Sequence, residues 1–201
     1  MHKEKQGFGD SAIATLQTSA VGQETVGMEG CYHVVCRDAD GNIKWEEQFP
    51  NLVNAVGKQL MLDTLLGGSS YSVTGPYLGL ISGASPTFAA ADTMSSHGGW
   101  TEFTNYTVGG SAVRGTAVFG SATSAGSTPA NVTTSAASAI TYTITGAGGT
   151  VGGCFLVTGT GAVSTQSSTA GTLYSAGNFT TAKVTTAGDT VSVTYSTTAT
   201  S

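Results

Sequence analysis

The stretch that decides the fold is Cys31-Tyr32-His33-Val34-Val35-Cys36-Arg37, followed by Asp38-Ala39-Asp40-Gly41-Asn42 and then Ile43-Lys44-Trp45-Glu46-Glu47-Gln48-Phe49. The first segment is rich in residues that favour β-strands, and the last alternates apolar and polar residues at period two. Between them, Asp, Gly and Asn are typical of a turn, in which Gly41 can adopt a positive φ. The sequence therefore predicts a β-hairpin over residues 31–49 with one buried face, and Pro50 ends its second strand.

The same kind of pattern continues to the end of the chain. Residues 140–144 (ITYTI) and 191–195 (VSVTY) alternate cleanly, and Ala187-Gly188-Asp189 is typical of the turn before the last strand. Many short strands separated by such turns indicate an antiparallel β-sandwich. The strands are predicted around residues 76–81, 111–119, 140–145, 153–158, 172–179 and 190–197. A flexible turn is predicted for the glycine-rich residues 146–153, and residues 121–139 fit either a loop or a poorly patterned strand.

One helix is predicted, over residues 54–66. Asn54 is a suitable N-cap, and Gly67-Gly68 supplies a C-terminal stop. Apolar residues recur at helical spacing within it, and we expect this Leu/Met face to be buried on a sheet. The apolar positions are Val56, Leu60, Met61 and Leu65, with Leu62 and Leu66 widening the stripe.

The first thirty residues differ from the rest. Residues 1–30 mix Gly, Ser, Thr, Gln and scattered charges without a sustained period. We interpret them as an extended N-terminal arm, which is either a disordered tail or ordered on a neighbouring subunit. The predicted fold is thus mainly β: this arm, then a β-sandwich domain over residues 31–201 that includes the hairpin and one short α-helix.

Charge nearly disappears from the second half of the chain. Residues 1–102 carry 16 of the 19 charged side chains, and residues 103–201 carry only Arg114, Lys183 and Asp189. About a quarter of the residues of a typical soluble domain are charged, and a net charge helps to keep molecules dispersed. A neutral half rich in Ser, Thr, Gly and Ala therefore favours a surface that lies against other protein, as in an assembly component, over an enzyme.

Composition also argues against other classes of function. The net charge of −5 includes no basic patch, so no nucleic-acid partner is expected. No apolar run approaches the roughly 20 residues that span a bilayer, so no membrane partner is expected either. The N-terminus has no apolar segment typical of a secretory signal. Cys31, Cys36 and Cys154 match no zinc spacing, and as free thiols they fit synthesis in a reducing cytosol.

Residues suited to catalysis are present but poorly arranged. Glu46 and Glu47 are neighbours on a strand and point to opposite faces. Cys36 and His33 are three apart on a strand, so they also face opposite ways. Asp92 and Glu102 bracket a loop and could approach each other, but acids that cap the loop are the favoured interpretation. The sequence contains no nucleophile-elbow motif.

No cofactor or metal site is predicted either. The turn at Asp38 begins like a calcium loop, but its twelfth position is Phe49 instead of a glutamate. The glycines of 146–153 lack the lysine of a phosphate-binding loop. We therefore predict no catalytic, cofactor-binding or metal-binding residues, and we predict that the protein is not an enzyme.

A few residues stand out as tests of assembly. Arg114 is nearly alone in a neutral region, so it either pairs with Glu102 or Asp92 inside the fold or contacts a carboxylate of a partner. The internal pair is favoured because an unpaired buried charge is costly. Trp100 and His97, together with apolar residues of the arm and hairpin, are the other positions to test. Trp45 and Trp100 fit an aromatic anchor in a core or interface better than a sugar platform.

An ordered series of short motifs runs from Asn51 to Arg114 and continues in the C-terminal strands. In this order the motifs resemble those of a family of structural proteins of tailed bacteriophages, over about three quarters of the chain. The motifs are Asn51-Leu52-Val53, Gly57-Lys58, Leu62, Leu65-Leu66, Tyr77-Leu78-Gly79-Leu80-Ile81, Ala90-Ala91-Asp92-Thr93-Met94, Ser96-His97-Gly98-Gly99-Trp100, Thr101-Glu102, Tyr106, Arg114, Gly153-Cys154-Phe155-Leu156-Val157, Leu173-Tyr174 and Gly188-Asp189-Thr190-Val191.

The resemblance implies a virion protein without catalytic residues. We expect a capsid decoration, or cement, protein on the capsid surface, made in the cytoplasm of the host bacterium. Its expected partners are the major capsid protein and other copies of itself, as a homo-oligomer or through contacts between copies. One alternative is a tail or fibre component that binds a host-surface glycan through exposed Tyr and Trp. A third is a virion-borne cell-wall hydrolase.

Overall fold

The computed structural model describes residues 27–67, 74–121, 130–133 and 138–200. Residues 1–26 of the predicted arm lie outside this range, as do residues 122–129 and 134–137 of the ambiguous segment. The described chain is mainly β with one helix. Two antiparallel sheets pack against each other, so the predicted β-sandwich is confirmed.

The described residues form twelve strands and one helix, and the strands in the middle of the chain are short. In chain order they are β1 (Gly27–Arg37), β2 (Ile43–Pro50), β3 (Leu52–Val53), α1 (Ala55–Leu65), β4 (Tyr77–Ser82), β5 (Thr101–Phe103), β6 (Tyr106–Thr107), β7 (Gly115–Thr116), β8 (Ala130–Thr133), β9 (Ile140–Ile144), β10 (Gly149–Thr158), β11 (Thr172–Thr185) and β12 (Thr190–Thr200).

The first sheet has the strand order β2-β1-β12-β9-β6, and β8 also pairs with β12. Strands β1 and β12 are antiparallel over their whole length, from Gly27 opposite Thr200 to Arg37 opposite Thr190. The predicted hairpin is β1 and β2, joined by the turn at Asp38. Strand β1 begins at Gly27, so the last four residues predicted for the arm are strand, because the end of β12 provides their hydrogen-bonding partners.

The second sheet has the order β3-β11-β10-β4-β5, and β7 also pairs with β4. One face packs on the first sheet and forms the main core. The opposite face is covered by the loops around residues 83–100 and 159–171, which form a smaller core around Trp100 and Phe155. Strand β10 is therefore buried on both faces.

Buried hydroxyl groups bridge the two sheets. The Tyr32 hydroxyl lies 2.9 Å from Ser175 Oγ, and the Tyr142 hydroxyl donates to the Leu78 carbonyl at 2.8 Å. Asn51 Nδ2 donates to the Tyr195 hydroxyl at 2.9 Å. Burial in the core raises the pKa of all three tyrosines, so the phenols stay neutral and available as hydrogen-bond partners.

Helix α1 lies at the predicted position, but it buries a different face from the one that the sequence predicted. Its buried residues are Gly57 and Leu60, whereas Leu62, Leu65 and Leu66 are 60%, 74% and 80% exposed. The reason is the close approach of Gly57 to β11, where a Cβ would lie 2.6 Å from the Tyr174 carbonyl oxygen. The expectation that the helix buries its whole Leu/Met face is therefore wrong.

The predicted N-cap residue is also used differently. Asn54 stands at the N-cap position, but its side chain makes no capping hydrogen bond. It is buried, and its Nδ2 donates to the Ala89 carbonyl at 3.1 Å. Its backbone N–H donates to the Tyr174 carbonyl at 2.9 Å, so Asn54 fixes the start of the helix to β11 and to the loop after β4.

Two strand predictions need correction. Residues 111–119 form only the two-residue strand β7, because Arg114 turns inward and Gly115 lies against Ile140. The glycine-rich segment is a turn only up to Gly148, whose N–H donates to the Thr145 carbonyl at 3.1 Å, and from Gly149 onward it is part of β10. No helix in the described part of the chain is long and apolar enough to cross a membrane.

Candidate assembly surface

The structure brings Arg114 and Glu102 together, as one of the two sequence-based interpretations predicts. Arg114 Nε donates to Glu102 Oε1 at 3.0 Å, and Nη2 donates to Oε2 at 2.7 Å. The side chains are 0% and 6% exposed. This two-point geometry is the strongest form of a charge-assisted hydrogen bond, and it leaves Arg114 unable to reach a partner molecule.

The same ion pair holds a loop against the second sheet. Arg114 Nη2 also donates to the Ser168 carbonyl at 2.7 Å, and the Ser167 N–H donates to Glu102 Oε2 at 2.7 Å. Ser167 has a φ of 60°, a left-handed conformation that this pair of contacts stabilises. The guanidinium group lies 5.1 Å from the centre of the Phe155 ring. The buried ion pair therefore has a structural role, because it fixes the loop at Ser167 and Ser168 to the second sheet.

His97 and Trp100 complete this cluster, with Trp100 buried and His97 half-buried. Their rings stack with centroids 3.8 Å apart, and Trp100 is 5% exposed. His97 Nδ1 lies 3.1 Å from the Trp100 carbonyl oxygen. Asp92, the other acid of this loop, accepts a hydrogen bond from the Ala89 N–H at 3.0 Å, so it caps the loop. Arg114 and Trp100, two of the positions proposed as assembly tests, are thus buried parts of the fold. The apolar residues of the arm before Gly27 lie outside the described residues.

Every charge of the second half is neutralised by an ion pair. Besides the Arg114 pair, Lys183 Nζ lies 2.7 Å from Glu47 Oε2, and Asp189 Oδ2 lies 2.6 Å from Lys44 Nζ. Both partners come from β2. The residues from 103 onward therefore carry no uncompensated charge, although three of them are ionisable as acids or strong bases.

These pairs control the protonation of both carboxyl groups. Burial alone would raise the pKa of Asp189, but hydrogen bonds from Lys44 Nζ and the Thr186 N–H outweigh burial and lower it. Burial likewise acts to raise the pKa of Glu47, and the contacts with Lys183 and Thr180 reverse the effect, so this pKa is also lowered. Both groups are ionised at neutral pH.

A hydroxyl-rich surface covers the outside of the first sheet. Thr141 and Thr143 of β9 and Ser192, Thr194 and Ser196 of β12 all point away from the core, and we call this set the hydroxyl face. Thr141 and Ser192 are opposite each other, with their hydroxyl oxygens 3.2 Å apart. The outer side of the same sheet continues from the hydroxyl face onto β1 and β2, where His33 Nε2 lies 2.7 Å from Glu46 Oε1.

An exposed apolar surface lies at the end of helix α1. Leu62, Leu65 and Leu66 are spaced three and four residues apart and share one side of the helix, and we call them the leucine patch. Beside it is a cavity of about 260 Å³ with almost wholly apolar walls, lined by Leu60, Met61, Thr64, Leu65, Thr158 and Tyr174. Elsewhere among the described residues, the exposed large apolar side chains are those of Ile43, Val118, Val163 and Val184.

Sequence reasoning missed this patch because it assigned the same leucines to the core. It also missed the two β2 partners of Lys183 and Asp189. A signal for one of them was present, since period-two alternation places Glu47 on the same inward side as Trp45 and Phe49. A carboxylate on that side requires a cation from another strand.

The two catalytic pairs considered on the hairpin, Glu46 with Glu47 and Cys36 with His33, do not face each other. Glu46 contacts His33, whereas Glu47 contacts Lys183 on the other side of β2. Cys36 and Cys154 are buried, and burial raises the pKa of the Cys36 thiol to about 11 and that of Cys154 further. Among the described residues, no group of three or more His, Cys, Asp or Glu side chains could hold a metal ion.

The remaining sequence motifs have structural roles. Asp38 Oδ1 accepts hydrogen bonds from the Asp40 and Asn42 N–H groups at 3.0 and 2.8 Å, which closes the hairpin turn. The Trp45 ring packs edge-on against Phe179 at 5.3 Å, and its Nε1 is buried. Neither this ring nor that of Trp100 is exposed as a platform for a sugar.

Comparison with known proteins finds no match to a family model, to a curated protein or to a solved structure.

Proposed function

We propose that this chain is a structural protein of the virion of a tailed bacteriophage, and specifically a capsid decoration protein. It would bind the major capsid protein at junctions between capsid subunits, on the outside of the shell. The observation that carries the proposal is the neutral second half. Its three charged side chains all form ion pairs within the fold, while the hydroxyl face remains on the outside.

A neutral exterior suits close packing with other protein. Net charge keeps soluble proteins apart, and charged groups must lose water when an interface forms. Hydroxyl groups lose less on desolvation and hydrogen-bond readily to backbone groups or ordered water. The hydroxyl face is therefore the surface that we assign to the shell.

The mechanism is stabilisation by burying surface between neighbouring subunits. Each contact can be weak, because several contacts on one shell act together through their high effective concentration. Internal pressure from packaged DNA then has to break many contacts at once before subunits separate. Residues 1–26, the part of the predicted arm that precedes β1, would add further contacts by becoming ordered on a neighbouring subunit.

The alternative of a glycan-binding tail or fibre component receives less support. It relied on exposed Tyr and Trp, but five tyrosines in the described residues are buried, namely Tyr32, Tyr106, Tyr142, Tyr174 and Tyr195. Trp100 is buried as well, and Trp45 is half-buried. An enzyme is also less supported, because Glu46 and Glu47 contact different partners on opposite sides of β2 and the Cys36 and Cys154 thiols are buried.

Copy number tests the proposal directly. We expect quantitative mass spectrometry of purified phage particles to find hundreds of copies of the protein per particle, with label on the shell in electron micrographs. Particles that lack the protein should release DNA at a lower temperature, and adding purified protein should restore their heat stability. A few to a few dozen copies, with label on the tail, would instead support the tail component and contradict a decoration role.

A further inference from the structure

We propose that residues 11–21 of the N-terminal arm fold back onto their own molecule and lie as an added strand in a groove beside the beginning of β1. The inference goes beyond the proposed function, because it concerns the free protein before any assembly. Its basis is a groove that runs along an unpaired edge of β1, at the point where the arm joins the sheet.

Strand β1 extends beyond its neighbour β2. It pairs with β12 from Gly27 to Arg37, but its register with β2 stops at Cys31 opposite Pro50. Within the described part of the chain, no strand therefore pairs with residues 27–30 on the β2 side. An open strand edge is a template for another extended segment, and native proteins usually cover such an edge.

The backbone groups of Met28 point to this open edge. The Gly30 carbonyl accepts a hydrogen bond from the Asn51 N–H at 3.1 Å, so it faces the β2 side. The Glu29 carbonyl faces β12, where it accepts a hydrogen bond from Thr197 Oγ1 at 3.1 Å. Because backbone groups alternate between the two edges of a strand, the N–H and carbonyl of Met28 face the same side as those of Gly30. They can therefore bond to an added strand.

The open edge forms one wall of a groove of about 740 Å³. Residues 28–31 of β1, residues 48–51 at the end of β2, and Ser196 and Thr198 of β12 line this groove. Among these lining residues, only Glu29 is charged. The groove therefore fits an uncharged extended peptide, which gains its hydrogen bonds from the strand edge and its side-chain contacts from the walls.

The arm contains one segment of this character. Residues 11–21 (SAIATLQTSAV) contain no charged residue, no proline and no glycine, whereas residues 1–10 carry four charged side chains. Ile13, Leu16 and Val21 supply apolar side chains. The absence of proline leaves every N–H of the segment able to join a β-ladder.

The position of this segment in the chain favours its own molecule over a second copy. The arm joins β1 at Gly27, next to the groove wall. A turn at Gly22, where glycine tolerates a positive φ, brings residues 11–21 back antiparallel to β1 and in line with β2. An attached segment has an effective concentration in roughly the millimolar range, so a few hydrogen bonds suffice to hold it. Residues 1–10 stay available for a neighbouring subunit.

Amide hydrogen exchange of the full chain, followed by NMR, tests the inference. We expect the Met28 N–H to exchange slowly, because the added strand supplies its acceptor. The double variant Gln17→Pro and Thr18→Pro should speed this exchange by at least about tenfold, because neighbouring N–H groups face opposite edges and one of the two belongs to the ladder. The matched variant Gln6→Pro and Gly7→Pro places both prolines outside the segment and should exchange like the unmodified chain.

Two outcomes of this experiment overturn the inference. One is the same Met28 exchange rate in all three proteins, with the Glu29 N–H, which faces β12, still protected. The other is protection of Met28 that appears only as the concentration rises and dimers form in sedimentation, because the segment would then come from a second copy.

Cross-linking gives a measurement that does not depend on the proline variants. Cys31 lines the groove and is half-buried. In the full chain, Gln17→Cys should join Cys31 through a short bis-maleimide and give a cross-linked monomer, whereas Gln6→Cys should not. Equal cross-linking by both variants, or covalent dimers in place of the monomer, would contradict a segment held in its own groove.

The two proposals fail separately. A protein whose arm lies in its own groove but that does not bind particles contradicts the decoration role alone. A protein that binds particles in full copy number, but whose Met28 N–H exchanges equally in all variants, contradicts only the inference made here.

Discussion

At the scale of single residues, Arg114 shows how a neutral region tolerates a strong base. Its guanidinium group is fully buried, yet Glu102 and the carbonyls of Ser168 and Val163 together accept its hydrogen bonds. Removing one member of such a pair leaves the other charge buried without compensation. The stability of the loop over Trp100 therefore depends on both members being present.

We predict that Arg114→Ala lowers the free energy of unfolding by about 3–5 kcal/mol, measured by urea denaturation. The other arginine of the chain supplies a matched control. Arg37 is exposed and donates only to the Gly41 carbonyl, so Arg37→Ala should change stability by about 0.5 kcal/mol or less. Equal effects of the two substitutions would contradict a structural role for the buried pair.

This residue-scale feature could be predicted from the sequence only in part. The isolation of Arg114 in a neutral region indicates an internal partner, because an unpaired buried charge is so costly. The choice of Glu102 over Asp92, and the carbonyls of the loop after β10, depend on three-dimensional proximity. Backbone acceptors are present at every residue, so the sequence carries no signal for them.

At the scale of elements, the position of helix α1 depends on the absence of a side chain at Gly57. A Cβ at this position would lie 2.6 Å from the Tyr174 carbonyl oxygen and 2.9 Å from its Cα, both of which are backbone atoms that cannot easily move aside. In an exposed helix, alanine is more stable than glycine by roughly 1 kcal/mol. Here steric overlap should reverse that preference.

We therefore predict that Gly57→Ala destabilises the protein by about 1–3 kcal/mol, as measured by thermal or urea unfolding. Gly98→Ala is the control, because a Cβ at Gly98 meets nothing within 4 Å, and its effect should stay within about 0.5 kcal/mol. A stabilised Gly57→Ala variant would show that the helix does not lie so close to β11.

Elements with one buried face were the ones that the sequence predicted well. Strand β9 and the hairpin alternate because their outer faces meet solvent. Strand β10 has no such alternation, since both of its faces are buried, and its glycines were mistaken for a turn. Position 153 has no room for a side chain, because a Cβ there would lie 2.0 Å from the Gly177 carbonyl oxygen. The leucine stripe of α1 was misassigned because spacing identifies a shared face but not what covers it.

At the scale of the whole molecule, two ion pairs connect the N-terminal hairpin to the C-terminal strands. Asp189 and Glu47 both have lowered pKa values in the folded protein. A carboxyl group with a lower pKa when folded adds stability above its unfolded pKa, which is about 3.9 for Asp and 4.3 for Glu. This contribution is lost as the pH falls through the folded value.

We predict that the unfolding temperature falls steeply between about pH 5 and pH 2, as followed by circular dichroism. Asp189→Asn should lower stability at neutral pH and make the acid dependence shallower, because one of the carboxyl groups with a lowered pKa no longer titrates. Asp40→Asn changes an exposed carboxylate in the hairpin turn and should leave the slope nearly unchanged. The same slope in all three proteins would argue against the linkage.

The short outermost strands also have a consequence for storage and assembly. Among the described residues, the strands at the lateral borders of the sheets are short except for β2: β3, β5, β6 and β7 contain two or three residues and β8 contains four. Strand β2 turns the carboxylate of Glu47 inward. Such borders are poor templates for lateral addition of further strands. Copies of this fold held together at high concentration should therefore resist polymerisation into amyloid-like fibres.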